Sequence, residues 1–539
     1  MSEASVPSYG DAQTWYLAEG YTGGEFDTYV LVQNPGETSA HVTLKFQLPP
    51  GHSAPDYEFD LPAGTRSSIQ LDGLPGLSNT DVSTKVTSTA PVMVERAMYF
   101  NYFGKPGGHD SIGVKYPSTV WYLAEGYTGG QFDTYVLVQN PGETSAHVTL
   151  KFQLPPGHSA PDYEFDLPAG TRSSIQLDGL PGLSNTDVST KVTSTAPVMV
   201  ERAMYFNYFG KPGGHDSIGV KYPSTVWYLA EGYTGGQFDT YVLVQNPGET
   251  SAHVTLKFQL PPGHSAPDYE FDLPAGTRRS VQLDSLPGLS STDVSTTVES
   301  TVSVVAERAM YFEYQGKRGG HVSIGTDFPS TVWYLAEGYT GGQFDTYVLV
   351  QNPGQETKHV RFDFQLPPGH SAPPLEFDIT GGSRRSVLLD ALPGLSSTDV
   401  STKVTASGLV VVERAMYFSY MGRDDGHCSI GSLYEPPIIP DTTKVLGEAE
   451  LGHLSGAAKS GDGKRLVLTF DADVGALQDV EIGDVIVSGI TSKTPYGMLQ
   501  KVAGVNRAGG QVILETVEAS LEEAIWRGHI INYTDLVPA

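Results

Sequence analysis

Cysteine is almost missing: Cys428 is the single one in 539 residues. That excludes intrachain disulfides and any cysteine-built zinc centre, since both need several sulfurs. Charge is sparse at 17% of residues and basic charge sparser, 33 Lys+Arg against 61 Asp+Glu for a formal −28. Such a balance repels nucleic acid and anionic lipid, so neither is expected as a partner. No apolar run approaches the roughly 20 residues of a membrane helix, so no membrane insertion is expected. The opening stretch from Met1 to Pro7 lacks the basic and apolar blocks of a signal peptide, so an exported form would be a mature or excised chain.

What is abundant is turn and strand material: 61 Gly, 37 Pro and 29 Tyr, with 39% hydrophobic residues. The chain is too long for one core, and several domains are expected. The string WYLAEGYTGG begins at Trp15, Trp121, Trp227 and Trp333, a constant spacing of 106 residues. Copies 1 and 2 differ only at Glu25 against Gln131, whereas copies 3 and 4 have drifted, as at Asp363, Pro374 and Met421. Recent duplication explains the pattern.

Within a copy, Val42, Leu44, Phe46 and Leu48 alternate with Thr43, Lys45 and Gln47, the period of a half-buried strand. The same alternation predicts burial of Tyr57, Phe59 and Leu61, of Ile69 and Leu71, and of Val82 and Val86. With segments at 15–20, 29–34, 92–100 and 111–115, each copy holds about seven or eight short strands at the spacing of a β-sandwich. Turns separate them at 34–36, 48–51, 62–64 and 74–76. No linker parts one copy from the next, which predicts stiff junctions and, at about 35 Å per unit, a rod of about 140 Å.

The expected divisions are an extension at 1–14, repeats at 15–120, 121–226, 227–332 and 333–433, a proline-rich joint at 434–442, and a small β-rich or α+β domain at 443–539. In that last domain strands are predicted at 466–470, 484–488, 499–505 and 512–516. Ser520 to Glu523 reads as a capping box opening a short helix with Leu521, Ala524 and Ile525 on its apolar side. The end, 532–539, reads like the start of a further segment, and Asn532 to Thr534 fits the glycosylation pattern, a short match of little weight.

Each copy carries WYLAEG, then FDTYVLVQNPG, then ERAMYF, then GHDSIG or a one-residue variant of it, over nearly all of residues 15–432. In this it resembles the tandem repeats of exported and cell-wall-associated bacterial proteins. The resemblance implies immunoglobulin-like modules, a bacterial source, an extracellular or cell-surface location and no catalytic residues. The tail, with GDVIVSG at Gly483 and TPYGMLQKV at Thr494, is similar to a small β domain found inside large bacterial surface polypeptides. The GHDSIG element departs at His321-Val322 and His427-Cys428, which puts any role for its acid in doubt. The resulting fold class is all-β: four immunoglobulin-like sandwiches in a rod, then the smaller domain.

The candidate residues are structural. His109, Asp110 and Ser111 include the three residue types of a hydrolytic triad, but neighbours on a strand alternate faces and cannot converge, so a turn or strand-entry role is expected. Glu95-Arg96 recurs as Glu201-Arg202, Glu307-Arg308 and Glu413-Arg414 inside an apolar strand. One of the two charges must face an interior or a seam and needs a partner; Glu19 and its equivalents, such as Glu125, are the candidates for Arg96 and its equivalents. Trp15, Trp121, Trp227 and Trp333, with Tyr16, Tyr99, Phe100, Tyr102 and Phe103, read as core or junction packing, with a carbohydrate platform as the alternative. Asp56, Glu58 and Asp60 spread over about 13 Å of one strand face and read as a solvated row rather than a metal site. Calcium between adjacent copies stays open, and no other cofactor is expected. His52 reads as a loop tip and Cys428 as a drifted neutral position. Gly461 to Lys464 reads as a hairpin turn rather than a phosphate loop.

No convergent acid, base, nucleophile or metal set appears, so an enzyme is not expected. The leading expectation is a structural stalk projecting other domains from the cell in the manner of an adhesin. The alternatives are a multivalent module for glycan, cell wall or host surface, and a self-associating subunit of a filament or surface layer using edge strands or a donated segment, Ser2 to Gln13.

Overall fold

The computed structural model describes residues 13–433, 442–461, 464–488, 493–494 and 497–519. Contacts divide the chain into a repeat unit, Ala12–Tyr434, and a C-terminal unit from Glu435.

Copy 1 forms β1 (Gln13–Leu17), β2 (Asp27–Gln33), β3 (Ala40–Gln47), β4 (Tyr57–Leu61), β5 (Arg66–Gln70), β6 (Ser83–Ser88), β7 (Met93–Tyr102) and β8 (Lys105–Ile112). They pair in two four-stranded sheets, ordered β1-β6-β3-β4 and β5-β2-β7-β8. Alternation drives the layering: Val42 and Leu44 of β3, Val30 and Val32 of β2, Val86 of β6 and Trp15 of β1 turn inward to one core. In copies 2 to 4 the equivalents of β6 and β7 merge into single strands, Ser189–Tyr208, Ser295–Tyr314 and Ser401–Tyr420, that pass from one sheet to the other and give near-barrel units. At the bend, Ser118, Ser224 and Ser330 of the junctions pair with Val198, Val304 and Val410, which holds the strand continuous.

The expected rod is overturned, because the four copies close on themselves. Tyr334 and Ala336 of copy 4 sit in the core of copy 1, as Ala18 of copy 1 sits in the core of copy 2. Gln245–Gln153 (2.5 Å) and Gln351–Gln259 (2.6 Å) bridge successive copies, and Gln33 of copy 1 makes the same bridge to Gln365 of copy 4 at 2.6 Å. The tyrosine hydroxyl pairs Tyr102–Tyr135, Tyr208–Tyr241 and Tyr314–Tyr347 are completed by Tyr420–Tyr29. Lys211–Asp239 and Lys317–Asp345 are completed by Arg423–Asp27. The innermost strands, β8 and its equivalents Lys211–Ile218, Lys317–Ile324 and Arg423–Ile430, touch in a cycle, so the β5-β2-β7-β8 sheets radiate from a common axis like blades. Each copy also offers one face of its β7-β8 hairpin to the copy before it and the other to the copy after, which the 106-residue period does not announce.

Two smaller expectations change. Tyr57 is half-exposed rather than buried, since β4 is an edge strand. The strand expected at 111–115 runs instead from Lys105 to Ile112, so His109, Asp110 and Ser111 lie within it and not at a turn or strand entry.

The C-terminal unit is a six-stranded sheet in the order Thr443–Val445, Val485–Ser488, Met498–Ala508, Gln511–Glu518, Leu466–Phe470, Leu454–Lys459. Leu468, Phe470, Ile486, Val502 and Leu514 form its core. A single helical turn, Glu448–Leu451, is the α-helix among the described residues. The predicted helix after Ser520, the segment at 532–539 and all of Ser2 to Gln13 except β1's first residue lie outside them, as do Asp462 and Gly463 of the predicted hairpin turn.

Candidate functional site

The seams between copies are where polar chemistry concentrates. On β7, Arg96 pairs across the ladder with Ser111 and Glu95 with Ile112, so their side chains leave opposite faces of the blade. Arg96 meets copy 2, at 2.9 Å from Asp216 and 3.4 Å from Glu201. Glu95 meets copy 4: it accepts the Ala336 N–H at 2.6 Å and the Arg414 guanidinium at 2.6 Å, and Arg414 also donates to Asp110 at 2.6 Å. Arg202–Glu307 (2.9 Å) and Arg308–Glu413 (3.0 Å) complete the cycle. All four arginines are 1% exposed, a burial such charges tolerate only when paired.

Where the acid of GHDSIG is lost, the seam adjusts. Val322 leaves Arg202 with Glu307 and, at 3.1 Å, His215 Nδ1; Cys428 offers Arg308 its sulfur at 3.0 Å. Burial pushes the Asp110 and Asp216 carboxyls up, opposed by Arg414 and Arg96, and it also pushes up the Cys428 thiol.

Glu19 does not pair with Arg96 as expected. It is held by Arg172 of copy 2 at 3.3 Å, and Arg172 also reaches Asp81 at 2.8 Å. The equivalents are Arg66–Glu337 (3.2 Å) and Arg384–Glu231 (3.1 Å). Arg278 turns to Asp187 instead, leaving Glu125 with Arg202 at 3.8 Å, the pairing expected from the sequence. Burial raises the pKa of all four glutamates, and the weakly paired Glu125 rises to about 7. Arg66, Arg172, Arg278 and Arg384 escaped the sequence analysis; the available signal was one arginine in every copy opening a short serine-containing strand. Each seam carboxylate thus faces a guanidinium group, and at Arg96 two of them, Asp216 and Glu201, share one. Among the described residues no group of three or more His, Cys, Asp and Glu is placed to hold a metal ion.

His109, His215, His321 and His427 are buried, and burial holds each well below the ordinary imidazole range. Trp121, Trp227 and Trp333 anchor their cores and donate indole N–H groups to Val198, Val304 and Val410; Trp15 is likewise buried. The acidic row is exposed, Asp60 taking His41 at 2.8 Å and Asp56 taking Lys45 at 3.4 Å.

At the outer mouth of the seam between copies 1 and 2 lies an open cavity of ≈ 580 Å³, with a counterpart of ≈ 600 Å³ between copies 2 and 3. Aromatic side chains line it: Tyr102 stacks on Tyr205 at 4.1 Å, and Phe26 stacks at 5.6 Å on Phe100, buried behind it. Its rim carries Glu25, Asn101 and Phe103. Phe103 and Gly104 both have positive φ (46° and 82°), and Phe103 is 90% exposed; Phe209 repeats this with φ 49° and 90% exposure. A bulky residue in the left-handed region, turned to water, is costly twice over.

A family profile matches residues 10–203 and, overlapping, 115–310, together more than half of the chain. The chain belongs to that family, a family of unknown function (DUF5719). Each match covers nearly two copies, so the family's members are built of repeated β-rich units. None of the curated proteins matches. Thermotoga maritima 1070 is 17% identical over 19% of this chain and 94% of its own, with a TM-score of 0.18. The Anabaena sensory rhodopsin transducer is 24% identical over 16% of this chain and 92% of its own, at 0.15. A mutant of the Streptococcus pyogenes major pilin is 8% identical over 55% of this chain and 97% of its own, at 0.12. At these scores the likenesses carry no argument. No helix among the described residues is long and apolar enough to cross a membrane.

Proposed function

We propose that this chain is a non-catalytic recognition head of an exported bacterial polypeptide: a closed set of four copies that holds ligand pockets at its seams in fixed mutual positions. The observation that carries the reading is ring closure by the same glutamine, tyrosine and cation–aspartate contacts at every seam. A spacer gains reach from each copy set end to end, whereas a ring gains none; what it gains is rigidity and repetition, the two properties that multivalent binding uses.

The pockets fall in the size range of small-ligand sites, and they combine ring faces with amide and carboxylate groups. That combination suits a neutral glycan of cell wall or host surface, since pyranose faces stack on aromatics and hydroxyls take hydrogen bonds from the rim. The exposed Phe103 and Phe209, held at a conformational cost, support a contact role rather than a packing one. The immunoglobulin-like reading of each unit is kept only as a two-layer sandwich, because the strand order β1-β6-β3-β4 over β5-β2-β7-β8 differs from the ABED over CFG arrangement.

A glycan array probed with the full chain tests the proposal. Binding that falls at least tenfold in F103G/F209G, with folding intact, supports it. A full chain that binds no glycan, or binds equally well without either phenylalanine, refutes it.

A further inference from the structure

On the ring axis the four blades present one backbone N–H each to a single point. The donors are Gly108, Gly214, Gly320 and Gly426, at equivalent places in the four innermost strands, and the acceptor is the Asp425 carboxylate. Oδ2 accepts from Gly108 at 3.2 Å and Gly214 at 3.1 Å; Oδ1 accepts from Gly320 at 2.9 Å and Gly426 at 2.9 Å. Two donors per oxygen and one donor per copy make a fully satisfied, buried carboxylate, with no ion pair among the described residues.

The sequence breaks symmetry at this point. Asp425 stands where copies 1, 2 and 3 have Gly107, Gly213 and Gly319. A methyl group built on any of those three glycines would collide with the Asp425 side chain. The axis therefore has room for one carboxylate, and four copies read alike could not supply it: four glycines give none and four aspartates give too many.

We propose that the axis of this ring is a binding site for one small monovalent anion, and that the chain fills it with its own carboxylate, Asp425, as a tethered ligand. Four edge-strand N–H groups converging on one point form the backbone concavity that binds anions elsewhere. Unfilled, they would be buried donors lacking an acceptor, each costly. Burial drives the Asp425 carboxyl pKa up and the four N–H groups draw it back down.

A second layer of donors lies one residue along the same strands. His109, His215, His321 and His427 are at most 1% exposed and lie within electrostatic reach of one another around the axis. In copies 2 to 4 an arginine faces Nδ1 (Arg202 and Arg308 at 3.1 Å, Arg414 at 3.4 Å), which puts the imidazole proton on Nε2. Those Nε2 atoms have no hydrogen-bond partner among the described residues. The inner wall of the ring is thus rich in N–H donors, and the inference stands independently of the seam pockets.

The test uses the full chain, D425G and D425N, melted at equal ionic strength in sodium chloride, sodium nitrate and sodium gluconate. Glycine fits the backbone here, since three copies already carry it. Wild type is expected to melt alike in chloride and gluconate. D425G is expected to melt lower in gluconate and to recover in chloride or nitrate, its midpoint rising with the logarithm of anion concentration as for one bound ion. D425N, whose amide occupies the axis while turning an N–H toward other N–H groups, is expected to be destabilised in every salt and rescued by none. A D425G protein as stable as wild type in gluconate, a D425G protein that no anion restores, or a D425N protein equal to wild type overturns the proposal.

Discussion

Glu95 and Arg414 are 319 residues apart in sequence and 2.6 Å apart in the ring. Both are at most 1% exposed, so their coupling reports ring closure directly. In R414M two buried carboxylates, Glu95 and Asp110, lose their cation, a loss that costs about 3–5 kcal/mol for a buried pair. In E95Q the guanidinium keeps Asp110 and the amide oxygen still accepts from Ala336, so the cost is nearer 1–3 kcal/mol. The double variant removes both charges at once, and its cost should fall short of the sum by about 1–3 kcal/mol, the coupling of residues in direct contact. Urea unfolding followed by fluorescence of the buried Trp15, Trp121, Trp227 and Trp333 measures all four corners of the cycle. R308M serves as a control: it strands Glu413 and a thiol rather than two carboxylates and should cost less than R414M. A coupling of less than about 0.5 kcal/mol would mean that copies 1 and 4 do not meet, and the closed ring would fall with it.

Glu125 has its folded pKa raised from 4.5 to about 7, so it contributes stability that is full below 4.5 and is lost as pH rises through about 7. The loss is worth about 3 kcal/mol, and E125Q should flatten that stretch of the curve when denaturation midpoints are compared between pH 4.5 and 8. Cys428, buried and with its thiol pushed up, should resist a thiol-labelling reagent in the native ring and react in a burst on unfolding in urea. Replacing Phe103 by glycine should raise stability by about 1 kcal/mol, because the left-handed conformation costs glycine nothing, and a loss of stability in the same urea assay would assign the ring a packing role.

The sequence carried the strands well, because alternation is local: Val42 and Leu44 announce one buried face whatever surrounds them. It carried the need of Arg96 for a partner, since a charge inside an apolar strand demands one. It did not carry the partner's address. Asp216, Glu201 and Arg172 become neighbours of copy 1 only once the next copy is rotated about an axis, and nothing in a 106-residue period states whether successive units advance along a line or turn about a centre. The turning is set by the β7-β8 hairpin, apolar and aromatic on both faces; an end-to-end array would leave Tyr99, Phe100 and Tyr102 wet. That two-sided burial is readable in retrospect in the run from Met93 to Phe100, whose residues are all buried despite Glu95 and Arg96.

The departures among copies bear on why a single chain should build such a ring. About a rotational axis, identical copies bring identical side chains together as many times as there are copies, so any charge placed near the centre is repeated and repels itself. A joined chain escapes that constraint. It places one acid at the axis, Asp425; it keeps the buried acid of GHDSIG at two seams, Asp110 and Asp216, and replaces it by Val322 and Cys428 at the others. Four buried acids against the four arginines and the glutamates already present would leave the centre with a surplus of negative charge, and burial already pushes Asp110 and Asp216 upward. Dropping two of the four lowers that surplus while Arg202 and Arg308 retain Glu307 and Glu413. Three of the departures in copies 3 and 4, Val322, Cys428 and Asp425, thus fall where fourfold sameness would be electrostatically costly. On that argument V322D/C428D, which restores sameness, should destabilise the ring even though each new carboxylate lands within reach of an arginine. The denaturation midpoint decides it, a rise in stability being the refuting result.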